Sequence, residues 1–126
     1  MRPPPGDFWF NVCGAYGHIS RVRGYLVPDT EELFAVHRLW PADEEGPELW
    51  CVTHLPTGWS IGREYLEPTT REEAQLHAQR FLKFAKVREW DLHTSKSAVI
   101  RQSYNCMTDD EKRRFWEQVR TGEATP

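Results

Sequence analysis

Long apolar runs are missing from this 126-residue chain. The longest, such as Leu33-Phe34-Ala35-Val36, stop after a few residues, whereas a membrane-spanning helix needs about 20. Cysteine is scarce: Cys13, Cys51 and Cys106 are an odd three that make no disulfide framework, so buried thiols in a reducing compartment are the expectation. The proline-rich start, Met1 to Asp7, lacks the apolar core of a secretory signal, and a cytoplasmic protein is expected. Neither a P-loop nor a Gly-x-Gly-x-x-Gly occurs, which removes the large nucleotide-binding families that announce themselves in short motifs. A basic excess is absent as well. Residues 1–68 hold five Lys/Arg against ten Asp/Glu, and residues 69–126 hold eleven against nine. Neither half has the charge of a duplex-DNA binder.

What the chain does have is tryptophan. Six (Trp9, Trp40, Trp50, Trp59, Trp90 and Trp116) are spread along it, and most are expected in the core because a small protein exposes little apolar area. With 39% hydrophobic and 28% charged residues the composition is that of one globular domain, expected over 8–122 between tails at 1–7 and 123–126.

The first half reads as strands. Residues 8–13 alternate aromatic and β-branched types, residues 18–27 follow after the turn Gly14-Ala15-Tyr16-Gly17, and residues 33–40 follow after Pro28-Asp29-Thr30. A loop at 41–47, holding Asp43-Glu44-Glu45, separates these from a strand at 49–55. There Pro56-Thr57-Gly58 is a hairpin signal with Trp59 to Gly62 as its return. The second half reads as helices. Thr69 and Thr70 with Glu72 and Glu73 form overlapping capping boxes, and Ala74, Ala78, Phe81, Leu82 and Ala85 then make one apolar stripe, predicting a helix over 70–87. A shorter helix is expected at 95–104. A last one starts at Thr108 with Glu111, docks through Phe115, Trp116 and Val119, and stops at Gly122. The expected fold is α+β: an antiparallel meander of four or five strands, covered on one face by the main helix, with one or two further carboxy-terminal helices.

Candidate chemistry is thin. Cys13-x4-His18 with Cys51-x2-His54 has the composition of a Cys₂His₂ zinc site, but Cys51 and His54 differ by an odd number within a strand and point to opposite faces. No metal and no cofactor is therefore expected. Cysteine–histidine catalysis needs a thiol beside a base and an orienting group, and no local pattern marks such a thiol, so no catalytic residue is assigned. The strongest binding candidates are Arg21, Arg23 and Tyr25 on one strand face, where guanidiniums follow phosphates while a base stacks on the ring. Arg80, Lys83, Lys86, Arg88, Lys96 and Arg101 are expected to add a positive rim from the helical half, with Lys83 and Lys86 as the leading candidates. Trp59, beside the hairpin tip, is a candidate partner anchor.

The stretch Trp50-Cys51-Val52-Thr53-His54-Leu55-Pro56-Thr57-Gly58-Trp59-Ser60-Ile61 and the capped helix after it, about forty residues, resemble a pattern of small phage- or mobile-element-encoded proteins. The resemblance implies a non-enzymatic accessory factor, a regulator or inhibitor that binds and modulates a host protein machine. Four strands followed by a helix are also similar, in element order, to the single-stranded-DNA-binding coactivator fold. A protein partner is the leading expectation, single-stranded nucleic acid the alternative and a small Cys/His-dependent enzyme the third. No membrane partner is expected.

Overall fold

A computed structural model describes residues 8–13, 18–38, 49–61, 66 and 69–122. The two expected tails, the acidic loop and Trp40 lie outside the described residues.

Five strands come first: β1 (Phe8–Cys13), β2 (Ile19–Leu26), β3 (Phe34–Arg38), β4 (Trp50–His54) and β5 (Trp59–Ser60). Three helices follow: α1 (Arg71–Val87), α2 (Ser97–Asn105) and α3 (Asp109–Thr121). The α+β class stands, but the plain meander does not. β1 through β4 pair antiparallel in chain order, and β5 then pairs parallel with β1, closing the sheet into a barrel. Closure rests on Cys13 opposite Trp59, with the Cys13 N–H donating to the Gly58 carbonyl at 2.6 Å. Gly58 turns the β4–β5 hairpin at φ 76, a backbone region open to glycine, as Pro56-Thr57-Gly58 predicts.

Closure gives every strand an inside and an outside, and register assigns them. Phe10, Gly24, Ala35, His37, Cys51 and Thr53 face inward and are buried. Gly24 is there because nothing larger fits: a Cβ would lie 2.2 Å from the Val36 carbonyl oxygen and 2.9 Å from Phe10. Outside, Phe34, Val36, Trp50 and Val52 meet α1, so β3 and β4 are buried on both faces and lack the polar alternation of a half-exposed strand.

The helical layer follows its apolar pattern. Ala74, Ala78, Phe81, Leu82 and Ala85 are buried, and Phe81 meets Phe34, Phe115 and Trp116 at ring separations of 5.8, 5.5 and 5.6 Å. Thr70 caps α1 through the Glu73 N–H, while Thr69 exchanges backbone bonds with Trp50 and ties the helix start to the sheet. α3 has a complete Thr108–Glu111 capping box and buries Phe115, Trp116 and Val119, as its sequence predicts. The Arg80 guanidinium donates to the Arg120 and Val119 carbonyls at 2.8 and 3.4 Å, satisfying the end of α3. α2 begins two residues later than expected and buries no residue fully. Among the described residues no helix is long and apolar enough to cross a membrane.

Candidate functional site: the uncovered outer face and its cleft

Helix α1 covers the outside of β3 and β4. On the outside of β1 and β2, Trp9, Ile19, Arg21 and Arg23 are exposed, while Arg71 of α1 lies over Tyr25 and Arg101 of α2 over Trp59 of β5. Register places Trp9 opposite Arg23, Asn11 opposite Arg21 and Cys13 opposite Ile19, with Trp59 beside Cys13 on the other flank. Trp9 is 55% exposed, Ile19 62% and Trp59 39%, which is large apolar area for one face of a small protein. The expectation that most tryptophans are core holds for Trp50, Trp90 and Trp116, which are buried or partly so, but fails for Trp9 and Trp59. From Trp9 to Cys13 the face runs ~13 Å along β1, at ~3.3 Å per residue. It holds Arg21 and Arg23, the latter 5.8 Å from the Trp9 ring, and no acid occurs in β1, β2 or β5.

The candidates drawn from sequence therefore separate. Arg21, Arg23 and Trp59 share this face. Tyr25 belongs to it by register, but the Arg71 guanidinium lies 3.7 Å from its ring centroid and Trp50 packs at 6.0 Å, so that stacking surface is occupied. Lys83 and Lys86 do not join. Lys83 stands exposed on α1 above Phe84 at 5.5 Å, and Lys86 pairs with Glu31, which also holds His93 at 3.0 Å. Arg101 does join: its guanidinium lies 4.1 Å from the Trp59 ring centroid.

Beside Trp59 the face drops into a cleft of about 120 Å³ walled by Ile61, Phe81, Leu92 and Ile100, with His54 at its base. Both nitrogens of His54 are spent. A carbonyl only accepts, so Nε2–H donates to the Leu92 oxygen at 2.7 Å, and Nδ1 accepts from the Thr57 hydroxyl at 2.9 Å. Burial, outweighing the bond to Leu92 and aided by nearby His93, holds the His54 pKa below its ordinary value near 6.5. The base of the cleft is thus neutral at pH 7.

Cys51 and His54 do lie on opposite faces of β4, and among the described residues no three His, Cys, Asp or Glu side chains gather as a metal site. Cys51 meets a different histidine inside the barrel, with Sγ 3.4 Å from His37 Nε2 while His37 Nδ1 donates to the Arg38 carbonyl at 3.0 Å. That is the orientation a thiol–imidazole pair needs, and no sequence spacing announces it. Yet Thr53 also reaches Nε2 at 3.0 Å, and Cys51 and His37 are only 8% and 5% exposed, so a substrate has no room to approach the sulfur. The pentapeptide Gly58-Trp59-Ser60-Ile61-Gly62 spells Gly-x-Ser-x-Gly, a match the sequence reading missed. Ser60 lies in β5 opposite Thr53, facing inward and hydrogen-bonded to no base among the described residues. The hydrolase motif instead sets its serine on a strand-to-helix turn.

Comparison with protein-family models, with curated proteins and with solved structures finds no match for this chain.

Proposed function

We propose that this chain is a non-catalytic recognition protein that binds an acidic, partly apolar surface of a protein partner through the outer face of β1, β2 and β5. The observation that carries the reading is the row of exposed Trp9, Ile19 and Trp59, interleaved with arginines, on strands that hold no acid. Tryptophan and arginine are the residue types that dominate protein interfaces. The role is that of an accessory regulator, in keeping with the resemblance to phage- and mobile-element-encoded proteins. Three free thiols fit a reducing, cytoplasmic setting.

Single-stranded nucleic acid is the second reading, favoured by Arg21 and Arg23 beside the exposed Trp9 ring. It ranks lower because base stacking needs free ring faces. Arg71 lies over Tyr25, Arg101 over Trp59 and, at the longer distance of 5.8 Å, Arg23 over Trp9, while Ile19 suits a side chain better than a base.

The two readings separate in one pair of measurements. Immobilised wild-type chain should retain a protein from the source cell that Trp9→Ala with Arg21→Glu releases and Val87→Ala, on the far side of α1, does not. Fluorescent single-stranded oligonucleotide should show negligible binding near physiological salt. Submicromolar binding, with a log K against log salt slope that flattens by about 0.7 per arginine removed, would put nucleic acid first.

A further inference from the structure

The cleft beside Trp59 has a size that decides between occupants. Pockets for cofactors and drug-sized molecules run to roughly 300–1,000 Å³, and a dry apolar cavity of about 150 Å³ accepts a benzene-sized group. At about 120 Å³ this cleft takes one branched aliphatic side chain. Its walls offer such a group the right surface: Ile61, Phe81, Leu92 and Ile100 are apolar, and His54 at the base has no polar atom left to satisfy. The rim adds a charge. The Arg101 guanidinium lies 4.1 Å from the Trp59 ring centroid at the edge of the cleft, where its planar fork suits a carboxylate just outside. The wall bearing Ser97, Ile100 and Arg101 belongs to α2, which is fixed to the core through Ile100 and through Tyr104, whose hydroxyl accepts from the Trp116 indole at 2.7 Å.

We infer that the cleft is a socket for one aliphatic side chain, leucine-sized, of a peptide segment that carries a carboxylate next to that side chain for Arg101. The inference rests on the reading of this chain as a protein-binding module and names what the partner presents. Trp59 is both the wall of the socket and the end of the outer face, so one segment can lie across Ile19 and Cys13 and drop its side chain at the β5 end.

The test is a titration of the full-length chain followed by ¹H–¹⁵N correlation spectra. N-acetyl-leucine should shift the Trp59 indole and the Ile100 and Arg101 amides saturably, and N-acetyl-glycine should not. N-acetyl-leucinamide, lacking the carboxylate, and Arg101→Gln should each weaken binding about tenfold. The blocked tripeptide acetyl-Glu-Leu-Glu-amide should bind at least as tightly as N-acetyl-leucine. Val87→Ala, which alters neither the face nor the cleft lining, should leave all these affinities unchanged, and because N-acetyl-leucine probes the cleft alone, failure of the outer face in its own assay is read separately from failure of the socket. Absence of saturable shifts, equal binding of N-acetyl-glycine, or indifference to Arg101→Gln would overturn the socket. Tripeptide binding weaker than that of N-acetyl-leucine would overturn its assignment to a peptide.

Discussion

Phe81 touches the sheet through Phe34, the third helix through Phe115 and Trp116, and the segment between helices through Trp90. A phenylalanine joining three layers cannot be truncated without leaving a void that none of them closes. Phe81→Ala should cost about 3–5 kcal/mol in denaturant melts, whereas Lys83→Ala, exposed two residues on, should stay within about 0.5 kcal/mol. His54 gives the residue scale a pH dependence. Burial lowers its pKa, and burial lowers that of His77 in the same way despite the Glu73 carboxylate 3.7 Å away. The unfolded chain takes up these protons near pH 6.5 while the folded chain resists them. Stability is therefore full above about 6.5 and is lost as pH falls through the lowered folded values. Urea midpoints should drop between pH 7.5 and 5.5, and His54→Gln with His77→Gln should flatten that slope whatever it does to the midpoint at pH 7.5. An unchanged slope would mean that neither ring is held neutral by the fold.

At the scale of elements, the parts legible in the sequence were those whose signals are local. β1 begins at Phe8 and ends at Cys13 as its alternation predicts, and Gly58 turns the hairpin. Thr108, Glu111 and Gly122 bound α3 where their spacing places them. Barrel closure was not legible, because it depends on two residues of β5 and on a bond between Cys13 and Gly58, 45 positions apart with no pattern linking them. The same distance problem hid Arg71 over Tyr25, Arg101 over Trp59 and His37 beside Cys51. One sequence feature does mark the crowded interior, namely Gly24 in the middle of an otherwise β-favouring strand. It marks the close approach of β2 to β3. Gly24→Ala should destabilise at or beyond the upper end of the ~1–3 kcal/mol range for overpacking, because the nearest atom is backbone and cannot rotate away. Ser20→Ala, exposed on the same strand, should change stability by less than about 0.5 kcal/mol. Equal effects in chemical melts would contradict the inward placement of Gly24.

For the whole molecule, α1 packs on the outside of β3 and β4, whereas Trp9, Ile19, Arg21 and Arg23 on the outside of β1 and β2 are exposed. Closure pairs β5 with β1 at Cys13 and Trp59 alone, and the proposed reading therefore assigns binding to side chains on the outer face. Trp9, Arg21, Arg23 and Ile19 stand exposed there, with Trp59, Arg101 and the cleft at the end of the same surface. The most direct test of this account puts a photo-crosslinking phenylalanine derivative at position 9 and, in a second protein, at position 87. Val87 is 75% exposed on α1, more than Trp9, and serves as a matched apolar control away from the face. After irradiation in the source cell, position 9 should yield a discrete crosslinked protein species, lost when Arg21→Glu and Arg23→Glu are added. Position 87 should yield none. Adducts at position 9 that nuclease removes, or the same protein adducts from both positions, would contradict the claim that this face is a protein-binding surface.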